Sequence, residues 1–184
     1  EHFGPQHWWP GDTPFEIMVG AVLTQNTNWQ NVEKAIFNLK TADVLSLPAM
    51  SALSREELAE YIRPAGYYNI KAGRLQNLFA MIEQHWDNDL DSLLLQPVAV
   101  LREQLLSVRG IGPETADSMV LYAAGQPIFV VDAYTKRIFS RLGWVDAKAK
   151  YEQMQQLVEA SVPPDAQMMG EFHALIVLHA KVHC

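Results

Sequence analysis

Hydrophobic residues recur every three to four positions along almost the whole chain, which is the spacing that buries one face of an α-helix. Only a few residues at a time alternate between apolar and polar as a strand would, and the one strand-like segment, IFVVD, is expected to be an extended linker. The pattern therefore predicts an all-α protein of about nine to eleven short helices. It is present in FEIMVGAVL, NVEKAIFNL, REELAEYI, KAGRLQNLFAMI, VAVLREQLLSV, TADSMVLYAA, AYTKRIFSRLGW, KYEQMQQLVEA and GEFHALIVLHAKV.

Helix-start signals support this prediction. Thr13 precedes a proline at the head of the first apolar segment, Ser54 is followed three residues later by Glu57 as in a capping box, and Asp132 precedes an alanine at the start of another segment. The breaks between helices are short, which indicates turns inside one compact fold.

Composition and charge narrow the class of protein. The chain has 184 residues, of which 49% are hydrophobic and 19% charged, as in an ordinary globular protein. No apolar run approaches the roughly 20 residues of a membrane span, and the N-terminus lacks a signal-peptide pattern. We therefore expect a cytoplasmic protein with no membrane contact.

The net charge of -7 argues at first against a nucleic-acid partner, since phosphate binding usually leaves a basic footprint. The charge is unevenly distributed, however. Residues 63–74 carry three basic residues and no acid, and residues 102–150 carry seven basic residues against five acidic ones. One mildly basic face on an acidic molecule is therefore compatible with the sequence.

The segment Gly110-Ile111-Gly112 lies between a helix ending near Val108 and a helix beginning at Pro113 or Glu114. By itself such a segment predicts only a tight turn. Bare glycines at a helix N-terminus also allow backbone N–H groups to approach a phosphate.

Longer stretches resemble a known family. The run LLSVRGIGPETADSMVLYAAGQPIFVVDAYTKRIFSRLG resembles the helix-hairpin-helix motif and following loop of the endonuclease III superfamily of DNA glycosylases. AVLTQNTNWQNVEKA, GYYNIKAGRL and FHALIVLHAKVHC resemble further segments of that family, in the same order, so the resemblance covers most of the chain.

The resemblance implies a two-lobed, all-α fold with a DNA-binding cleft between the lobes. Residues 16–130 would form a six-helix barrel domain containing the hairpin at about 98–124, and residues 1–15 with 131–184 would form the second lobe. The implied partner is double-stranded DNA with a damaged base, bound by a monomer, and such a partner implies a nucleoid-associated protein. The residues implied to contact the DNA backbone are Gly110, Ile111, Gly112, Glu114, Thr115 and Lys136. Relatives hold a cation at the hairpin, which this sequence does not reveal.

Two acidic residues carry the chemistry that the resemblance implies. Asp132 matches the catalytic aspartate, which would stabilise the positive charge that develops on the sugar, although its position equally suits a helix N-cap. Glu114 stands where bifunctional members have the lysine that forms a Schiff base. A carboxylate cannot form an imine, which favours removal of the base by water.

The family also implies a wedge and a base pocket. Gln25 matches the intercalating glutamine, although a polar residue in such a turn can simply be solvated. Trp8-Trp9-Pro10 and Trp29 resemble the 3-methyladenine DNA glycosylase III branch and would line the pocket, although large aromatic residues are often core. Electron-rich indoles would favour cationic alkylated purines.

The single cysteine, Cys184, falls where many members begin a four-cysteine iron-sulfur loop. One thiolate cannot hold a 4Fe-4S cluster, so we expect no cofactor in this chain. Two alternatives stay open: a longer parent protein holds a cluster with Cys184 as its first ligand, or this branch has lost the loop and Cys184 is incidental. The histidines, including His173, show no metal-ligand spacing and are expected at the surface or in the core.

The favoured function is a monofunctional base-excision DNA glycosylase for alkylated purines. The alternatives within the fold are an endonuclease III-like glycosylase with lyase activity and a mismatch or oxidised-base glycosylase. The alternative from another class is a non-catalytic DNA-binding protein, against which Asp132 argues.

Overall fold

The computed structural model describes residues 4–6 and 8–183. All regular elements within these ranges are helical, which confirms the all-α prediction, and IFVVD runs as an extended linker up to Asp132. None of these helices is both long enough and apolar enough to cross a membrane. The elements are α1 (Pro14–Leu23), α2 (Trp29–Thr41), α3 (Leu47–Ser51), α4 (Arg55–Tyr61), a 3-10 turn (Arg63–Ala65), α5 (Tyr68–Trp86), α6 (Leu90–Leu94), α7 (Val98–Ser107), α8 (Pro113–Ser118), a π-helical turn (Met119–Ala123), α9 (Ala133–Arg141), α10 (Tyr151–Glu159) and α11 (Ala166–His183).

Local sequence signals set several of these boundaries. The Thr13 hydroxyl accepts a hydrogen bond from the Glu16 N–H at 3.2 Å and caps α1. Ser54 and Glu57 form the predicted capping box at the start of α4. These caps satisfy N–H groups that have no partner inside their helix, so each fixes a start point within a residue.

Helix α1 is the central element of the core. Its sequence is apolar on nearly all sides, and Met18, Val19, Val22 and Leu23 are completely buried. It packs against α2, α5, α8 and the π-helical turn. A helix that is hydrophobic all round requires such a position. The turn that follows α1 is thereby held beside the hairpin between α7 and α8.

A buried lysine ties the end of α1 to its neighbours. Lys71 of α5 is 1% exposed, and its Nζ donates to the backbone oxygens of Leu23 at 2.8 Å and Ala65 at 2.7 Å. Burial, followed by the nearby charge of Arg74, lowers the pKa of Lys71 to about 8. The ammonium thus satisfies two carbonyls at helix ends, where a positive charge is favourable.

The described N-terminal segment lies against α11. The Gln6 N–H donates to Glu171 Oε1 of α11 at 2.6 Å, and Lys181 Nζ lies 5.7 Å from the centroid of the Trp8 ring. Helix α11 also packs on α9. These contacts agree with a lobe built from both chain ends, while the proposed boundaries, 16–130 against 1–15 plus 131–184, stay a prediction.

Candidate active site and DNA interface

A cleft of about 1040 Å³ lies between the N-terminal segment, the α1–α2 turn, and helices α8, α9 and α11. It brings together most of the side chains that the sequence singled out. Gly110 and Ile111 are not part of its wall, and Lys136 lies exposed on α9 outside it. The predicted residues that line the cleft are Trp8, Trp9, Pro10, Gln25, Trp29, Gly112, Glu114, Thr115 and Asp132.

Asp132 is held at the N-cap of α9. Its Oδ1 accepts hydrogen bonds from the Thr135 N–H at 2.7 Å and from the Thr135 hydroxyl at 2.9 Å. The Asp132 side chain is only 12% exposed. Asp132 therefore caps α9 and lines the cleft at the same time, and its bonds to Thr135 fix the orientation of the carboxylate.

His173 of α11 faces the second oxygen of this carboxylate. Its Nε2 lies 3.4 Å from Asp132 Oδ2, and its Nδ1 lies 2.8 Å from the Tyr122 hydroxyl. The Nε2 atom is buried and has no hydrogen-bond partner of good geometry within the described part of the chain. With Asp132 ionised, Nε2 carries a proton toward Oδ2, and Tyr122 supports the opposite edge of the ring.

Sequence reasoning placed His173 only at the surface or in the core. It is indeed buried, but it also contacts the predicted catalytic carboxylate. The sequence offers only a weak indication of this contact, because α11 is apolar on most sides and a histidine in such a helix commonly belongs to the core.

Among the acidic residues that line the cleft, Asp132 and Glu114 have pKa values shifted in opposite directions. Burial by itself would raise the pKa of Asp132, but the contact with His173 and the bonds from Thr135 outweigh it and hold that pKa below its usual value. Glu114 differs: partial desolvation, followed by the charge of Asp132, raises its pKa, with His173 acting in the opposite sense. Asp132 is therefore the better fixed negative charge, and Glu114 the better proton acceptor.

Aromatic rings form one wall of the cleft. Trp9 stacks on Tyr122 with 5.0 Å between ring centroids and an interplanar angle of 23°, and meets Trp29 edge-on at 5.8 Å and 68°. Gly20 lies against both rings, and a Cβ there would meet them at ordinary van der Waals distances, 3.6 Å from Trp9 Nε1 and 3.7 Å from the Trp29 ring. Trp29 Nε1 also donates to Glu33 at 2.9 Å.

The hairpin is fastened to the α1–α2 turn by Gln25. Its Nε2 donates to Gly110 O at 3.1 Å and to the Thr115 hydroxyl at 2.9 Å, and its Oε1 accepts a hydrogen bond from Arg74. The predicted wedge residue is thus bound to the hairpin. Arg74, which lies in the acid-free basic segment of the sequence, was not predicted as a site residue.

The two hairpin glycines differ in whether the fold itself requires a residue without a side chain. Gly110 has φ of +99°, and a Cβ there would lie 2.5 Å from Arg74 Cγ. Gly112 has an ordinary φ of -98°, and no atom lies within 4 Å of the place its Cβ would take. Gly110 is therefore required by the protein itself, whereas Gly112 leaves its outer side open.

Between the glycines and in the first turn of α8, the hairpin buries one side chain and leaves backbone N–H groups without a helical partner. The Ile111 side chain is buried, and its N–H donates to Val108 O at 3.0 Å. Within α8 the Ala116 N–H bonds to Gly112 O at 2.9 Å, so the N–H groups just before Ala116 have no intrahelical carbonyl to bond.

A buried ionic network supports the linker that leads to Asp132. Asp117 of α8 is completely buried and accepts from Arg102 Nε at 2.6 Å, the Tyr151 hydroxyl at 2.8 Å and Gln155 Nε2 at 2.7 Å. Gln155 also donates to Phe129 O at 2.7 Å, and the Tyr151 oxygen accepts the Val131 N–H at 3.3 Å. Two side chains of α10 thereby hold the linker, and Asp117 of α8 holds those two side chains in turn.

Possible metal-ligating side chains are scattered over the part of the chain that the structure describes. No three His, Cys, Asp or Glu side chains in residues 4–6 and 8–183 are grouped closely enough to bind a metal ion. The iron-sulfur prediction concerns Cys184, which lies outside the described residues, and a single cysteine does not fit a cluster that needs several thiolates.

Comparisons with known proteins agree with this geometry. Residues 19–164 match the HhH-GPD superfamily of base excision DNA repair proteins. A proposed DNA repair glycosylase of Methanocaldococcus jannaschii is 47% identical over 191 aligned positions, which span 100% of this chain and 84% of that protein. Endonuclease III of Thermotoga maritima is 30% identical over 154 residues, or 83% of this chain and 67% of the relative.

A solved structure is also similar. The 3-methyladenine DNA glycosylase of H. pylori bound to 1,N6-ethenoadenine has a TM-score of 0.82 and 33% identity, with 95% of this chain and 87% of that chain covered.

The all-helical fold, the hairpin and the helix-capping Asp132 in a cleft are together the features of a base excision repair DNA glycosylase. The chain belongs to the HhH-GPD superfamily of base excision DNA repair proteins. DNA is accordingly its partner.

Proposed function

We propose that the protein is a monofunctional DNA glycosylase, which hydrolyses the N-glycosidic bond of an alkylated purine such as 3-methyladenine and leaves the DNA strand intact. The observation that carries the proposal is the presence of Glu114 in the cleft with Asp132, at the position where the lyases of the superfamily have a lysine. Because a carboxylate cannot form an imine, water is the nucleophile.

Asp132 supplies the negative charge for this reaction. Cleavage of the bond develops positive charge on the sugar, and the Asp132 carboxylate faces the cleft with its orientation fixed by Thr135 and His173. A fixed carboxylate in a site with little water stabilises an oxocarbenium-like state without having to reorganise.

The aromatic wall supports an alkylated purine as the substrate. A methylated purine such as 3-methyladenine carries positive charge, and indole faces attract a desolvated cation over a neutral base by about 1–2 kcal/mol. Trp9 and Trp29 present such rings to the cleft. The similarity to the H. pylori 3-methyladenine DNA glycosylase supports the same substrate class.

The hairpin provides the contact to the DNA backbone. The open side of Gly112 and the N–H groups of the first turn of α8 suit a phosphate, and Lys136 adds an exposed positive charge on α9. Gln25 acts as the wedge when it gives up its bonds to Gly110 and Thr115 and enters the gap left by the flipped base.

The test is release of free bases from methylated, oxidised and uracil-containing duplexes, identified by chromatography. We expect methylated purines to be released, with strand breaks only after alkali and no adduct trapped by borohydride.

A trapped adduct would instead establish a lyase. Lys181, which lines the cleft, is then the amine to test, because Lys181→Gln would abolish trapping if it forms the imine. Absence of base release from every duplex would favour a non-catalytic DNA-binding protein.

A further inference from the structure

Both oxygens of Asp132 have close polar neighbours within the protein. Oδ1 accepts two hydrogen bonds from Thr135, at 2.7 and 2.9 Å, and Oδ2 faces the His173 ring at 3.4 Å. Each of these contacts favours the ionised carboxylate over the protonated one. Asp132 is therefore suited to keep its charge beside the sugar and poorly suited to take a proton from water.

Glu114 has the opposite surroundings. It lies in the first turn of α8, it lines the same cleft, and it is exposed to solvent. Its carboxylate accepts no hydrogen bond from any other side chain or backbone N–H in residues 4–6 and 8–183, whereas Asp132 and His173 act on it through their charges. A water molecule can reach this carboxylate from the cleft, and a proton taken up there can leave to solvent.

We propose that Glu114 is the general base that removes a proton from the attacking water, while Asp132 stabilises the sugar cation. The inference rests on the proposed hydrolytic function. The glycosidic bond breaks with its electron pair going to the base, so a cationic alkylated purine leaves as a neutral molecule. The water oxygen bonds to C1′, and one of its protons passes to Glu114.

The opposite pKa shifts of the two groups support this division of labour. A lyase of the superfamily has its amine nucleophile at this position, and here Glu114 occupies the same position and activates water. General-base catalysis contributes typically about 10²- to 10⁴-fold to a rate.

The first experiment compares the wild-type protein with Glu114→Gln in single-turnover release of 3-methyladenine from a methylated duplex. We expect the variant to be slower by about 10²-fold, with unchanged affinity for a duplex carrying an abasic site. Glu103→Gln is the matched control, since Glu103 is an exposed glutamate of α7 in the same hairpin, outside the cleft. Its rate should equal that of the wild type.

The second experiment adds sodium azide, an anion that attacks C1′ without losing a proton. Azide should restore the rate of Glu114→Gln by about tenfold or more and leave an azide on the sugar, because this nucleophile needs no base. It should not restore Asp132→Asn, in which the sugar cation is no longer stabilised.

The third measurement is the pH dependence of the single-turnover rate, in the wild type and in Glu114→Gln. In the wild type the single-turnover rate should rise with pH through the raised pKa of Glu114, and Glu114→Gln should lack this limb. The other titratable or charged groups around Glu114 and in the cleft are Asp132, Glu33, His173, Tyr151, Tyr134, Tyr122, Arg74 and Lys181.

Two outcomes overturn the inference. One is a Glu114→Gln rate equal to that of the wild type, and the other is a slow variant that azide does not restore and that has lost affinity for DNA. If the wild type releases no base or is trapped by borohydride, the proposed function fails instead, so the two failures are distinguishable.

Discussion

Asp132→Asn tests whether the carboxylate of the cleft performs chemistry or only caps a helix. Asparagine caps helices as well as aspartate does, and its side-chain oxygen can keep the bond that Oδ1 accepts from the Thr135 N–H at 2.7 Å. His173 can adapt by moving its proton to the ring nitrogen beside Tyr122. We therefore expect the free energy of unfolding to change by less than about 1 kcal/mol.

The rate should respond very differently. A unit charge about 4 Å from the developing sugar cation, at the effective dielectric constant of about 20 that fits protein sites, contributes about 4 kcal/mol. Loss of this interaction corresponds to a decrease of about 10³-fold in the rate. Affinity for the damaged duplex should hold or rise, because the charge acts mainly in the transition state.

The assay is single-turnover base release with enzyme in excess, together with thermal or denaturant unfolding of the same samples. Asp146→Asn is the matched control, because Asp146 is an exposed aspartate that accepts a bond from the Lys148 N–H at 2.7 Å, away from the cleft. An Asp132→Asn variant that is stable and keeps more than about a tenth of the wild-type rate would reduce Asp132 to a helix cap.

Three further predictions concern the base pocket, the hairpin and the core. Trp29→Ala should lose about 1–3 kcal/mol of stacking and cation–π attraction to the bound base. In a base-release assay the variant should therefore release cationic purines more slowly, with a smaller effect on neutral bases. An equal loss of rate on both kinds of base would make Trp29 a core residue. Gly112→Leu should weaken binding to damaged and undamaged DNA alike in a filter or anisotropy assay, and should leave the stability of the protein unchanged. Gly110→Ala should instead lower the free energy of unfolding by about 1–3 kcal/mol, because residue 110 has a positive φ and a Cβ there would clash with Arg74. Unchanged affinity of Gly112→Leu would place the phosphate contact elsewhere. Since the pKa of Lys71 falls from 10.5 to about 8 on folding, the unfolded chain holds more protons between these values. The free energy of unfolding should therefore rise with pH across that window by up to about 3 kcal/mol, a rise that Lys71→Met should lack in denaturant titrations.

The sequence by itself determined the features that depend on neighbours three or four residues apart. The helices follow from apolar spacing, and the caps at Thr13, Ser54 and Asp132 follow from a side chain that reaches an N–H within one turn. These interactions need no knowledge of the rest of the chain. The hairpin was predictable for the same reason.

The tertiary structure decided which of these local features meet. His173 reaches Asp132, Gln25 holds Gly110, and Asp117 joins α8 to α10, in each case through residues far apart in sequence. Such contacts depend on how whole helices pack, so spacing along the chain carries no trace of them.

The π-helical turn at Met119–Ala123 shows the same limit. The apolar pattern there predicted a regular helix, yet the turn carries Tyr122, which lies against His173 and Trp9. Which backbone hydrogen bonds a helix makes in one turn is decided by the packing around it, and so the sequence determined that a helix forms there, whereas the fold decided where its tyrosine lies.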